Sequence, residues 1–109
     1  MSFATCLYPK PLVGVSSQSL TVSSTTATPT AYTLFPAPGG AQSVFFDVQI
    51  SDVMVRWDGT NPTGSAGHLF PKNAQYRMDA AKFNASKFIR VTSATVDAIV
   101  FSSPEVTGY

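Results

Sequence analysis

The stretch Val44-Phe45-Phe46-Asp47-Val48-Gln49-Ile50-Ser51-Asp52-Val53-Met54-Val55-Arg56-Trp57 decides the fold class. Over 44–50, Val44, Phe46, Val48 and Ile50 share one face of an extended chain, while Asp47, Gln49 and Ser51 share the other. Successive side chains of a strand point to opposite faces, so this spacing predicts a strand with one face in a core and one in water. The parity then reverses, with Val53, Val55 and Trp57 apolar and Arg56 and Asp58 pointing away. A bulge or tight turn at Ser51-Asp52 is therefore expected.

Outward from this stretch, further strands are expected over 12–15, 19–24, 31–35, 75–78, 87–92 and 96–102. Serine and threonine dominate 16–33, with Leu20, Val22, Tyr32 and Leu34 at even spacing, a pattern that suits a half-buried pleat. Pro36-Ala37-Pro38-Gly39-Gly40, Asp58-Gly59-Thr60-Asn61-Pro62 and Ser103-Pro104 punctuate the strands. Asp79 is a capping residue before Ala80-Ala81-Lys82-Phe83, which predicts a helical turn or two ahead of Asn84. The expected fold is all-β: an antiparallel β-sandwich of about seven or eight short strands, in Greek-key or jelly-roll order, with at most one short helical turn.

Composition bounds the function. The 109 residues are 44% hydrophobic, 12% aromatic and 12% charged, enough apolar surface for one core and too little for two. One sandwich domain over 13–109 is expected, preceded by an arm or extended segment over 1–12. The arm carries Phe3, Leu7 and Tyr8 as apolar anchors, while Pro9 and Pro11 hinder a helix or a central strand. A net charge of +1 argues against a general polyanion binder. No basic leader precedes an apolar run, and no stretch approaches the ~18 apolar residues of a membrane span, so no membrane association is expected.

Catalytic chemistry would have to begin with His68, the single histidine, paired either with Cys6 as a thiol nucleophile or with Ser65 and an aspartate. Gly64-Ser65-Ala66-Gly67 lacks the Gly-x-Ser-x-Gly elbow, and a solvent-facing or loop-packing histidine is the simpler expectation; no enzyme is expected. One His and one Cys cannot supply a transition-metal site. Asp58-Gly59-Thr60-Asn61, with Asp52 nearby in sequence, offers calcium-type oxygens without the carboxylate density of a calcium loop. Neither metal nor cofactor is therefore expected.

Lys72, Arg77, Lys82, Lys87 and Arg90, interleaved with Tyr76, Phe83 and Phe88, admit a nucleic-acid surface, but on alternating strand positions the aromatics are core and the bases solvated. Trp57 could stack on a sugar or close the edge of the core. Asn84-Ala85-Ser86 fits the N-glycosylation pattern and, without a secretion signal, is read as chance.

The stretch Val53-Met54-Val55-Arg56-Trp57-Asp58-Gly59-Thr60-Asn61-Pro62-Thr63-Gly64-Ser65-Ala66-Gly67-His68-Leu69 resembles a pattern in small β-sandwich structural proteins of tailed bacteriophage virions. There a strand with Arg and an aromatic leads into an Asp-Gly turn, then Pro-Thr or Pro-Ser, then Gly-His and a hydrophobe. Leu20-Thr21-Val22-Ser23 and the segment 88–100 are similar to an early strand and the closing hairpin of the same proteins.

The resemblance implies a non-enzymatic virion protein that bridges neighbouring subunits, as a capsid decoration (cement) protein. The alternatives are a neck, tail or fibre accessory protein, or a carbohydrate-binding module for host attachment. Its implied partners are the major capsid protein or other virion proteins and further copies of itself. Subunit contacts are expected at Phe3, Leu7 and Tyr8 of the arm, at Trp57, Asp58, Asn61 and His68 around the long loop, and at Tyr109 of the tail that starts at Glu105.

Overall fold

The computed structural model describes residues 9–11, 17–37 and 40–107. Eight strands and one short helix are present among them: β1 (Pro9–Pro11), β2 (Gln18–Val22), β3 (Ser43–Gln49), β4 (Val53–Arg56), β5 (His68–Phe70), β6 (Ala74–Asp79), α1 (Ala80–Ala85), β7 (Lys87–Arg90) and β8 (Ala98–Thr107). They form two antiparallel sheets packed face to face. The larger runs β2-β8-β3-β6, with β1 pairing the far end of β8 beyond β2; the smaller runs β7-β4-β5.

Just past β2 the chain changes sheet. Arg90 N–H donates to Ser23 C=O at 2.9 Å, and Ala27 and Phe88 exchange backbone hydrogen bonds at 2.8 Å. The 23–27 segment thereby lines the free edge of β7, and the layers read β2-β8-β3-β6 over 23–27-β7-β4-β5. That is the strand order of a jelly roll, one of the two orders the sequence leaves open.

The alternation in the opening stretch is what the core is built on. Val44, Phe46 and Val48 of β3 and Val53 and Val55 of β4 are fully buried. Phe46 sits at the centre, with ring centroids 5.7 Å from Phe70, 5.5 Å from Tyr76, 5.5 Å from Phe83 and 6.4 Å from Phe88. One side chain thus touches β5, β6, α1 and β7, and joins both sheets to the helix.

The parity break at Ser51-Asp52 is a tight turn that carries the chain from the larger sheet to the smaller. Ile50, expected on the core face, sits instead at the centre of that turn, 51% exposed and at φ +77°, while Ser51 N–H closes onto Gln49 C=O at 2.9 Å. A chain that must switch layers cannot continue the pleat for one more residue.

Three further expectations are corrected. Residues 31–35 form no strand; Leu34 makes a single parallel bridge to Ala41 and is exposed. Tyr32 still reaches the core because the Asn84 side chain takes its N–H at 2.9 Å and donates to its C=O at 2.8 Å, in place of a strand partner. Ser103-Pro104 does not end a strand: β8 runs through it to Thr107. Pairing with β2 stops at Ser102 and pairing with β1 starts at Glu105, so Pro104 falls in a gap of the ladder on that edge, where its missing N–H is tolerated. Strand β8 also begins at Ala98, which leaves Val96 exposed in the preceding loop.

The helix starts where expected but runs through Asn84 to Ala85, and its N-cap Asp79 makes no side-chain hydrogen bond to it. Strand β5 was not anticipated; at three residues it is too short to show a period. The expected strand over 12–15 lies outside the described residues.

Candidate functional site

Strand directions sort the connections between two ends of the sandwich. The turns at 50–52 and 71–73, the loop 91–97 and the sheet change at 23 lie at one end, the turn end. Helix α1, the 28–42 connection, the start of the 57–67 loop, β1 and the end of β8 lie at the other, the helix end. Pro9–Pro11 of β1, Trp57 at the start of the long loop and Glu105 in the last part of β8, separate in sequence, lie at this same end.

Trp57 follows directly on β4 and is partly buried against the core. The β4–β5 pairing brings His68 back beside it, and their rings stack with centroids 4.4 Å apart at 9°. The Lys82 ammonium of α1 sits 4.8 Å from the indole centroid. The indole therefore carries two contacts at once, a stacked imidazole and a cation over its ring. The contact with Lys82 was not foreseen, because nothing local links positions 57 and 82.

Arg56 grips the next residue but one. Its Nη2 donates to Asp58 Oδ2 at 2.5 Å and its Nε to Oδ1 at 3.2 Å, while Thr60 N–H also donates to Oδ1 at 3.1 Å. The guanidinium first, and the Thr60 amide second, hold the Asp58 carboxyl below its ordinary pKa; the same ion pair raises Arg56. Gly59 takes φ +88° in this turn, which a side chain would strain.

Beyond the turn the loop folds back over the outer face of the smaller sheet. Thr63 and Ala66 pair through backbone bonds of 3.0 and 3.2 Å, Pro62 is buried, and Thr92 N–H donates to Gly64 C=O at 2.9 Å. At Gly67, φ +147°, a Cβ would crowd Met54 Cβ and Val55 O at 3.3 Å. The loop is therefore a fixed flap, with Asp58, Thr60, Asn61, Thr63 and Ser65 exposed along it.

Of the expected contact residues, Trp57, Asp58 and His68 come together, and Asn61 lies on the flap with no side-chain hydrogen bond among the described residues. Phe3, Leu7, Tyr8 and Tyr109 lie outside the described residues, as does Cys6. Ser65 and His68 make no hydrogen bond to one another, and His68's contact is the indole. Asp52 and Asp58, the carboxylates weighed for calcium, lie at opposite ends of β4, the one accepting Lys72 N–H at 2.8 Å and the other held by Arg56. No group of three potential metal ligands occurs among the described residues.

The basic residues are dispersed: Arg77 pairs with Glu105 at 3.0 Å and Arg90 with Asp97 at 2.6 Å, while Phe83 and Phe88 are fully buried and cannot stack on bases. The Asn84 amide nitrogen is engaged with Tyr32 C=O and is not free to carry a glycan in this fold. No helix among the described residues is long and apolar enough to cross a membrane. No family model, curated protein or solved structure matches this chain.

Proposed function

We propose that this chain is a non-enzymatic structural protein of a tailed-phage particle, a capsid decoration protein that stabilises the shell by bridging neighbouring subunits. Jelly rolls serve as capsid proteins, lectins and cupins alike, so the fold alone does not choose among them. The observation that carries the choice is the flap. The Arg56-to-His68 stretch that resembles virion proteins is pinned by an ion pair, a ring stack and a cross-loop hydrogen bond, and it presents exposed polar residues.

A rigid surface of that kind loses little entropy on docking, which suits a contact that must bury ~1,200 Å² or more in total to be specific. The same geometry weighs against carbohydrate binding, since a sugar needs an open aromatic face and the Trp57 ring is already engaged by His68 and Lys82.

Quantitative mass spectrometry of purified particles tests the proposal. Hundreds of copies per particle support decoration; about six to eighteen, the count of a ring or a few rings, move the protein to neck, tail or fibre. Absence from particles refutes a virion role.

A further inference from the structure

The turn end carries a feature that the flap does not explain. Ile50 is a β-branched residue held at φ +77°, a region that such side chains fit worst, and its side chain is half exposed. Asn73, on the neighbouring turn, also has positive φ, but asparagine tolerates that conformation. The Ile50 side chain lies outside the buried core: the core face of β3 ends with Val48, and the turn is closed by backbone.

Beside Ile50 stands Val96, 53% exposed, in a loop anchored from below by Ser51 Oγ donating to Val96 C=O at 2.7 Å. The two aliphatics rim an open cleft of about 270 Å³ whose other walls include Asp52, Lys72, Ser93 and Thr95. Strain retained at an exposed apolar residue marks a contact made with something outside the chain.

We infer that the turn end is a self-association surface on which Ile50 and Val96 of one copy pack against a second copy of this chain. Charge selects that occupant. Near the cleft Arg90 and Asp97 satisfy one another at 2.6 Å, and the charged side chains that line it are Asp52 and Lys72. Asp52 uses Oδ1 on the Lys72 main-chain N–H, which leaves Oδ2 open, and the Lys72 ammonium has no carboxylate partner among the described residues.

One acid with an open oxygen and one unpaired base lining the same cleft are complementary to the same cleft of another copy, where Lys72 of each meets Asp52 of the next. A strongly charged partner would match only half of this surface. The surface is independent of the virion reading, because it belongs to the purified chain in solution.

Sedimentation equilibrium of the purified full chain, over ~1 µM to ~1 mM, tests it. The wild type is expected to associate reversibly within that range. Ile50→Asn, which suits left-handed backbone better and removes the aliphatic side chain, should keep the wild-type denaturation midpoint and weaken association tenfold or more. Should Ile50→Asn lower the midpoint, Lys72→Glu and Val96→Asp decide, since both change exposed side chains; each should fold as wild type and lose association at least tenfold. A wild type that stays monomeric to ~1 mM overturns the inference. So does wild-type association in the folded variants.

Discussion

Replacing Gly64 by alanine tests whether the flap is truly docked. A Cβ at this position would stand 2.2 Å from Thr92 Oγ1, 2.9 Å from Thr92 N and 3.1 Å from Thr92 Cα. The hydroxyl can rotate away, but the backbone nitrogen cannot, so the flap must lift. Lifting breaks the 2.9 Å hydrogen bond from Thr92 N–H to Gly64 C=O, worth about 1 kcal/mol, and forced overpacking adds about 1–2 kcal/mol more.

The loss is capped at about 2–3 kcal/mol, since the flap can detach while the sandwich stays folded. For a domain of this size that corresponds to a drop in Tm of roughly 8–20 °C. Urea denaturation followed by the single tryptophan, Trp57, reads the midpoint, and hydrogen exchange of the Thr92 amide reads the docking. Gly59→Ala is the control, because its Cβ meets nothing within 4 Å and costs only the strain of φ +88°, about 1 kcal/mol. A Gly64→Ala protein with the wild-type midpoint and a still-protected Thr92 amide would refute the docked flap.

Phe46→Ala should cost about 3–5 kcal/mol, because it empties the centre shared by Phe70, Tyr76, Phe83 and Phe88; chemical denaturation measures it. Tyr32→Phe removes a buried hydroxyl 2.9 Å from Ser102 Oγ and 3.2 Å from Ser102 C=O, for a loss of about 1–2 kcal/mol, readable as a lower urea midpoint. Asp58 titrates below its ordinary value, so the Arg56–Asp58 clamp is complete above the unfolded carboxylate pKa of about 3.9 and is lost as pH falls through the lower folded value. The Thr60 amide resonance should follow that acid-side titration, and in Asp58→Ala it should not move.

The parts of the fold legible in the sequence were those where one strand shows its own period. Val44, Phe46 and Val48 announce β3, and the shift to Val53 and Val55 announces a break, though only the structure reveals that the break is a change of layer. Tyr32 and Leu34 carried the same even spacing and misled, because Tyr32 is held by Asn84 and Ser102, 52 and 70 residues away. Pro104 looked like a stop for want of one long-range fact, the gap between β2 and β1 along β8.

At the site, Trp57 and Asp58 were visible as neighbours in a motif, and His68 as its far end. Their meeting depended on β5, which is three residues long, and the cation over the indole is Lys82, which no local pattern ties to Trp57.

Strand β8 is wedged between β3 on one side and β2 and β1 on the other, and this fixes when the molecule can be finished during synthesis. Gln18 finds its partner at Ser102, and Ser43 finds one of its two at Glu105, so the larger sheet has no middle until the ribosome has passed those codons. Until then β2 and β3 both present open edges to any extended chain nearby, the situation that invites pairing with the wrong molecule. Contacts that bridge so much sequence also place folding toward the slow end for a chain of this length. In a cell producing many copies at once, the nascent chain's hazard is therefore concentrated in the interval before 98–107 emerges, and a release of the chain short of β8 leaves β2 and β3 each without the neighbour that β8 supplies in the finished sheet.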